Sequence, residues 1–441
     1  MKKTKGMDRR GFIKTSTLGI AGVGSLLSAK PLSAGQETKG DIPKIKAYRT
    51  LGRTGFKVSD IGIGTARVYP VPVMNAVLDA GVNYIDSSER YGRGTAEKNI
   101  GEAIKGRDRK SLFITTKIST RDVSSKEQVV EKVQQCLQRL QTDYIDCLLI
   151  HGPPAIADLK DENFHKGMDQ LKKEGRVRFI GISHHGSHFQ NQDDSMEKIL
   201  LGAVDDGRFD LLLIVYNFLQ RETGEKVLDA AMEKNIAITI MKSNPLGRYF
   251  EMKERIEQMK INGEEIDDRS KSYMARMEET AKQAEAFLKK NNLQDPGEIR
   301  AAALKFVLEN PKVNTLNLAF DNFDDVQNLL KLSGTGMEPK EKSLLAGVEE
   351  ECGRLYCRHA CGVCESACPD QVPVNTIMRY QHYFETSGSE KFAMEKYANL
   401  DCSKADLCRN CQGLCENACP YGVPIQGLLN LAHAQLSLNS G

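Results

Sequence analysis

Residues 126–151, KEQVVEKVQQCLQRLQTDYIDCLLIH, contain the unit that decides the fold. The first half carries apolar residues at helical spacing and predicts an amphipathic helix. The second half ends in YIDCLLI, a nearly continuous apolar run that predicts a short strand buried on both faces. A helix that feeds directly into a buried strand is the repeating element of α/β proteins with a parallel sheet.

The same alternation of short apolar runs and helical stretches extends from about residue 48 to residue 335. The candidate strands lie near residues 59–65, 82–86, 112–117, 144–150, 177–182, 211–216, 236–240 and 313–319. Eight strands alternating with helices predict an α/β fold of the (β/α)8, or TIM, barrel type, with a site at the carboxyl ends of the strands. Repeated βα units alone leave a doubly wound sheet as the alternative.

Four polar residues stand at or just beyond the ends of successive predicted strands: Asp86, Tyr91, Lys117 and His151. A tyrosine phenol titrates near pH 10 and is a poor proton donor or acceptor at neutrality. A neighbouring ammonium favours the phenolate, and a carboxylate keeps that ammonium charged. A histidine can position a carbonyl group or relay a proton. Any one of these residues alone is more simply a cap, a rim aromatic or a turn residue, but the four together predict an active site.

The motifs around these residues resemble those of the aldo-keto reductase family, from YRTLGRTGFKVSDIGIGT at residues 48–65 onward. They are DSSERYG at 86–92, AEKNIGEAI at 96–104, TTK ending at 117, DYIDCLLIH at 143–151 and EGRVRFIGIS at 174–183. The resemblance implies carbonyl or alcohol redox chemistry on a small molecule, with the tetrad as catalytic residues. It also implies NADP or NAD as cofactor, contacted by Ser183, Asn217 and Lys242.

The nucleotide side departs from the family pattern at several positions. His184 stands where the family has asparagine, Leu213 replaces a glutamine, and Ser243 replaces the aromatic residue that stacks on nicotinamide. The last predicted strand leads into NLAFDNFDDVQ at 317–327, without the glycine and basic residues that usually hold cofactor phosphates. The sequence therefore predicts that the acid–base residues of the family are present and that several of its nucleotide-binding residues have been replaced.

The last part of the chain carries two cysteine blocks, CRHACGVCESACP at 357–369 and CRNCQGLCENACP at 408–420. Each differs by one residue from the C-x2-C-x2-C-x3-C-P run with which bacterial ferredoxins bind clusters. The blocks predict two 4Fe–4S clusters, with these metal ligands: Cys357, Cys361, Cys364, Cys368, Cys408, Cys411, Cys415 and Cys419.

In two-cluster ferredoxins the fourth cysteine of each block binds the other cluster. By that analogy Cys419 joins the first three cysteines and Cys368 joins the last three. Cys352 and Cys402 are spare and could each replace a first ligand. Disulfides and zinc are the alternatives. The spacer between the blocks predicts helix, break and helix, which resembles α-helical ferredoxin domains.

The first residues, MKKTKGMDRRGFIK, resemble a twin-arginine export signal around Arg9 and Arg10. The resemblance implies the twin-arginine export machinery as a partner and a periplasmic or cell-envelope location, with a membrane anchor if the signal is not cleaved. A disordered basic tail is the alternative. The predicted organisation is a signal at 1–34, a linker at 35–47, the barrel at 48–335 and a ferredoxin-type domain at 345–441.

The composition excludes one class of partner: the formal net charge is +2, so nothing indicates nucleic-acid binding. Cys136 and Cys147 are interpreted as core residues, and His184, His185 and His188 as loop residues at the barrel mouth rather than metal ligands. The sequence thus predicts an exported iron–sulfur oxidoreductase with one-electron transfer through its clusters and a possible redox protein partner. The alternative is an electron-transfer protein whose barrel is only a docking scaffold.

Overall fold

The computed structural model describes residues 42–121, 123–185, 194–245, 296–353, 356–386 and 390–437. The predicted export signal at 1–34 and most of the linker at 35–47 lie outside these residues, as does His188. Among the described helices, none is long and apolar enough to cross a membrane.

Eight parallel strands close into a barrel in the order β10-β3-β4-β5-β6-β7-β8-β9, which confirms the barrel and excludes a doubly wound sheet. Every strand predicted from the apolar runs is present. Their bounds are β3 Ile61–Gly64, β4 Tyr84–Asp86, β5 Phe113–Ile118, β6 Ile145–His151, β7 Val177–His184, β8 Leu211–Val215, β9 Ala237–Met241 and β10 Thr315–Leu318.

A hairpin that the sequence pattern did not indicate precedes the barrel. Strands β1 (Tyr48–Thr50) and β2 (Lys57–Ser59) pair antiparallel. Between them Arg53 pairs with Asp210 at 2.7 Å, immediately before β8. Asp210 lies at the amino end of its strand, so the hairpin covers the end of the barrel opposite the predicted site. Each strand of the hairpin has only three residues, too few for an alternating pattern to stand out.

Two apolar clusters hold the barrel. One fills the interior and includes Leu149, Leu211 and Leu213, with Tyr84 and Phe113 stacked at 5.9 Å between ring centroids. The other lies between the strands and the surrounding helices. These helices are α1 Val71–Asp79, α2 Thr95–Ile104, α3 Lys126–Leu140, α4 Glu162–Lys173, α5 Met196–Asp206, α6 Arg221–Glu233, α7 Pro296–Glu309 and α8 Phe323–Leu330.

The cysteine-rich region is helical and has its own core. Helix α9 (Pro339–Cys352) packs Leu345 and Val348 against Ile299 of α7 and so lies on the barrel. A separate cluster then joins the cysteines to the last helices. Those helices are α10 Val374–Thr386, α11 Glu390–Ala398, α12 Leu414–Asn417 and α13 Ile425–Leu436. Helices α10 and α11 confirm the two helices predicted between the cysteine blocks, and the predicted break at 387–389 lies outside the described residues.

The barrel interior leaves no room for a side chain at Gly181 of β7. A Cβ there would lie 2.5 Å from Leu149 Cδ2 and 2.6 Å from the Leu211 carbonyl oxygen. We expect Gly181→Ala to lower the free energy of unfolding by about 1–3 kcal/mol, because the strands must move apart. Urea denaturation followed by circular dichroism measures the change.

Gly202→Ala is the matched control, since Gly202 lies within α5 and its added Cβ would make ordinary contacts of 3.4 Å or more with Ile156. Alanine is favoured over glycine inside a helix by about 0.5–1 kcal/mol, so this variant should be as stable as the parent or more stable. Equal losses in the two variants would contradict the packing argument.

Candidate active site and cysteine sites

The four predicted catalytic residues lie together at the carboxyl-end rim of the barrel. Asp86 is the last residue of β4, Lys117 lies near the end of β5, and His151 is the last residue of β6. Tyr91 begins the short 3-10 turn Tyr91–Gly94 that follows β4. Parallel pairing of β4, β5 and β6 brings the three strand ends side by side.

Lys117 is the centre of this group. Its ammonium donates to the Asp86 carboxylate at 2.7 Å, to the Ser87 carbonyl at 2.6 Å and to the Tyr91 hydroxyl at 3.4 Å. The Lys117 side chain is fully buried. The other carboxylate oxygen of Asp86 accepts a hydrogen bond from the Thr115 hydroxyl at 2.9 Å. The carboxylate is therefore fixed from two sides and holds the ammonium toward the phenol.

His151 lies against the edge of the Tyr91 ring, with 6.0 Å between the ring centroids and perpendicular planes. Its Nδ1 is 3.2 Å from the Ser88 hydroxyl, which leaves Nε2 directed away from this contact. Burial, and then the nearby charges of Lys117 and Arg90, hold the pKa of His151 well below its usual value. The imidazole is therefore neutral near pH 7 and can donate or accept a hydrogen bond without carrying charge.

The structure corrects one electrostatic expectation. The sequence suggested that the Lys117 ammonium would favour the Tyr91 phenolate. Instead, burial, followed by the charge of Asp86 and the phenol of Tyr383, raises the pKa of Tyr91 well above its usual value. Burial also lowers the pKa of Lys117, against the opposing effect of Asp86. Desolvation dominates over the single ion pair, so Tyr91 stays protonated and suits a proton donor.

The three predicted nucleotide contacts lie on the part of the rim formed by β7, β8 and β9, which begins beside the tetrad, since Ser183 pairs with His151. Ser183 is buried in β7, and Lys242 follows β9 with a left-handed backbone, φ 55°. The Asn217 carboxamide, beyond β8, forms hydrogen bonds with other groups of the protein through both its nitrogen and its oxygen. Its nitrogen donates to the Lys242 carbonyl at 3.0 Å and to the Tyr356 hydroxyl at 3.3 Å. Its oxygen accepts from the backbone N–H groups of residues 219 and 220, both at 3.0 Å. Asn217 therefore ties the loops after β8 and β9 together.

The helical region completes the rim with residues that the barrel motifs could not indicate. Arg379 of α10 is only 3% exposed and donates to both Nδ1 and the carbonyl of His185, just beyond β7. One helical turn later, Tyr383 lies beside Lys242, whose Nζ is 5.8 Å from the ring centroid. The spacing of four residues puts Arg379 and Tyr383 on one face of the helix. That spacing was the only signal in the sequence, since neither residue belongs to a cysteine block.

The cysteines line two separate cavities. The first is lined by Cys357, Cys361, Cys364 and Cys419, and the second by Cys368, Cys408, Cys411 and Cys415. Each set contains three cysteines of one block and the last cysteine of the other, the exchange that the ferredoxin analogy predicts. No described cysteine forms a disulfide. Among the described residues no group of three or more His, Cys, Asp or Glu side chains that could hold a metal ion is found.

The thiols of each cavity affect one another. Burial, and then the neighbouring Cys361 and Cys419, raise the pKa of Cys357 to about 12. Burial, and then Cys411 and Cys368, raise the pKa of Cys408 to about 12. Thiols that resist ionisation alone lose their protons when a cation binds, because metal ligands must be thiolates. Cys402 lies outside the lining of both cavities, and the Cys352 side chain lies outside the described residues.

A closed parallel barrel with a Tyr–Lys–Asp–His group at its carboxyl-end rim is typical of (β/α)8-barrel enzymes. The model of the aldo/keto reductase family matches residues 60–343, and the chain belongs to that family. The helical cysteine region lies almost wholly beyond the matched residues.

Among its relatives is the aldo-keto reductase YhdN of Bacillus subtilis (strain 168), 28% identical over 208 residues, which cover 43% of this chain and 59% of the relative. The methylglyoxal reductase DkgB of Escherichia coli O157:H7 is 37% identical over 127 residues, 28% of this chain and 46% of the relative. The chain thus spans about half the length of these curated relatives. The aldo-keto reductase AKR11C1 of Bacillus halodurans, a solved structure, is 21% identical with a TM-score of 0.49, covering 68% of this chain and 95% of its own.

The Lys117–Asp86 pair makes a prediction about stability. Lys117→Met leaves a buried carboxylate without its cation, and we expect a loss of about 3–5 kcal/mol in the free energy of unfolding. The double variant Lys117→Met, Asp86→Asn removes the uncompensated charge and should recover most of that loss. Urea denaturation of the parent, both single variants and the double variant gives the coupling energy. Strictly additive losses would contradict a direct interaction between the two side chains.

Proposed function

We propose that the protein is an iron–sulfur oxidoreductase of the aldo-keto reductase type. It interconverts a small carbonyl compound and its alcohol at Tyr91, Lys117, Asp86 and His151, and this chemistry is linked to one-electron transfer through two 4Fe–4S clusters. The single observation that carries the proposal is the buried Lys117 ammonium, which contacts both the Asp86 carboxylate and the Tyr91 hydroxyl. The family match and the names of the relatives support the same reaction class.

In the reducing direction, two electrons and one proton reach the substrate as hydride, and a second proton comes from the protein. A nicotinamide nucleotide supplies the hydride when it is bound. Tyr91 gives its phenolic proton to the carbonyl oxygen, and the adjacent Lys117 stabilises the phenolate that remains. Asp86 keeps Lys117 charged, and neutral His151 hydrogen-bonds the carbonyl oxygen and orients it. In the oxidising direction the same groups act in reverse.

The chain fits the two kinds of cofactor unequally. Each cysteine cavity offers four thiols and at least one N–H group directed at sulfur. The Asn375 side-chain amide donates to Cys357 at 3.6 Å in the first cavity, and the Val372 backbone N–H donates to Cys368 at 3.4 Å in the second. Hydrogen bonds to sulfur are one way in which proteins tune cluster potentials. On the nicotinamide side, both polar atoms of Asn217 are already engaged, so Ser183 and Lys242 are the remaining predicted contacts.

The link between the two regions rests on Tyr356 and Gln220. Tyr356 directly precedes Cys357, and its hydroxyl donates to Gln220 Oε1 at 3.4 Å besides accepting from Asn217. The Gln220 amide donates to the His359 carbonyl at 2.7 Å and accepts from the His359 N–H at 2.9 Å. The first cysteine set is thereby joined to the nucleotide side of the rim. This arrangement supports an exchange of electrons between that set and the barrel.

The engaged Asn217 favours a second candidate, an electron-transfer protein whose barrel serves as a docking scaffold. In that case a redox protein partner, and not a nicotinamide nucleotide, supplies the electrons. The proposal also keeps the twin-arginine route, with the periplasm or cell envelope as destination, on the strength of the Arg9-Arg10 motif alone. The name methylglyoxal reductase given to one relative makes short carbonyl compounds the first substrates to test.

Anaerobic purification followed by iron and sulfide analysis tests the cluster assignment. We expect about eight irons per chain, and a loss of about four in Cys419→Ser, because Cys419 completes the first set. Cys368→Ser should lose the other four. Cys136→Ala, which changes a buried cysteine of the barrel, is the control and should keep all the iron. A zinc-loaded, iron-free protein would overturn the assignment.

Addition of NADPH to the anaerobic protein separates the two candidate functions. Bleaching of the cluster absorption band would show that the two electrons of NADPH reach the clusters, one for each cluster, with release of NADP+ and a proton, and it would support the first candidate function. Clusters that ignore both NADPH and NADH, but are reduced by dithionite, support the scaffold function.

The Tyr91 phenol makes the catalytic prediction. Tyr91→Phe should lower kcat for carbonyl reduction by about 10²–10⁴-fold, the usual contribution of a positioned general acid. Tyr144→Phe is the matched control, since Tyr144 precedes β6 at the opposite end of the barrel and donates to the Arg109 carbonyl there. Its activity should equal that of the parent. Steady-state assays with methylglyoxal and NADPH measure kcat for both variants. An unchanged kcat in Tyr91→Phe would contradict the role of Tyr91 as the proton donor.

A further inference from the structure

Two basic side chains, Arg379 and Lys242, interact with each other at the barrel mouth. Arg379 is almost completely buried, and it donates hydrogen bonds to His185 and to the Tyr383 phenol. The Lys242 ammonium lies over the Tyr383 ring. Among the described residues no carboxylate forms an ion pair with either cation. Burial, and then the neighbouring Arg379, hold the pKa of Lys242 well below its usual value, so the charged form of this lysine requires a counter-charge, which a bound anion would supply.

Tyr383 connects these cations to the site of proton transfer. Its phenol hydrogen-bonds Arg379, which opposes the effect of burial on the Tyr383 pKa. The same phenol is one of the groups that raise the pKa of Tyr91. Lys242 also has a left-handed backbone, which a residue with a side chain adopts at a cost and which is concentrated at functional sites. The two cations and the Tyr383 phenol therefore form one interacting group.

Resting on the carbonyl chemistry proposed above, we propose that Arg379 and Lys242 form an oxyanion site for a carboxylate that the substrate carries beside its reacting carbonyl group. The substrate class is then the 2-oxo acids and the corresponding 2-hydroxy acids. The planar guanidinium of Arg379 presents N–H donors in the fork that matches a carboxylate, and Lys242 adds a point charge. Arg379 comes from α10, outside the residues that match the family, so the helical region determines the specificity of the barrel.

A phosphate of the nicotinamide nucleotide has the same oxyanion chemistry, but the position favours the substrate. The phosphates of a dinucleotide are separated from the nicotinamide ring by a ribose, whereas a 2-oxo acid holds its carboxylate one bond from the reacting carbon. Tyr383 interacts with both cations and with Tyr91. A short spacing between anion and carbonyl carbon suits this geometry.

Calorimetric titration of the full, cluster-loaded protein tests the site without turnover. Pyruvate is the probe, and methyl pyruvate is its neutral counterpart. We expect pyruvate to bind at least tenfold more tightly than methyl pyruvate. In Lys242→Met the Kd for pyruvate should rise at least tenfold and that for methyl pyruvate should stay the same. Arg379→Lys, which keeps the charge and loses the fork, should also weaken pyruvate binding. Lys234→Met removes an exposed lysine that pairs with Asp205 and is the charge-matched control.

Equal binding of pyruvate to the parent and to Lys242→Met would overturn the proposal. Titration of the same proteins with NADPH identifies the other source of an oxyanion: a weakened NADPH affinity with unchanged pyruvate binding would assign the cations to a nucleotide phosphate. Because no turnover is needed, an inactive barrel that still prefers pyruvate would refute the catalytic proposal and leave the oxyanion site standing.

Discussion

Closure of the sheet by pairing of β10 with β3 is the constraint on which the rest of the molecule depends. Leu316 lies opposite Ile61 in this last ladder, so the chain returns to its first barrel strand. A closed parallel barrel has all its strand carboxyl ends on one rim. Asp86, Lys117 and His151 meet there because they end neighbouring strands, although 31 and 34 residues separate them along the chain. The topology of the barrel alone is therefore enough to bring these three side chains to one place.

Desolvation then decides how those residues behave. An exposed lysine beside a carboxylate would gain little, since surface ion pairs contribute about 0–1 kcal/mol. Lys117 is buried, so its charge depends on Asp86, and the two side chains must be treated as one unit. The same burial keeps Tyr91 protonated and His151 neutral. The rim thus holds a protonated phenol and a neutral imidazole beside a buried cation, the protonation states that the proposed carbonyl reduction requires.

The sequence predicted most of the barrel and little of what covers it. Each barrel strand is a buried apolar run, and the periodicity of helices such as α3 is strong, so both were visible locally. The hairpin β1–β2 was missed because its strands are too short to carry a pattern. The tetrad was identifiable because its four residues follow strands in order. Arg379, Tyr356 and Tyr383 were not, because their role arises from docking of one region on another, which no local pattern records. The electrostatic state of Tyr91 was misjudged for a similar reason: the depth of burial is a property of the assembled rim.

The exchange of cysteines between the two blocks has a consequence for maturation. Each cavity is lined by three cysteines from one block and one cysteine from the other block, so neither block can supply all four cysteines of a cavity by itself. A chain synthesised only as far as residue 418 lacks the fourth cysteine of the first cavity, although the whole first block has been made. Completion of both sites therefore waits until Cys419 has been made. Since the same region carries Arg379 and Tyr383 into the barrel mouth, the rim is also incomplete until the helices that follow the barrel have packed onto it.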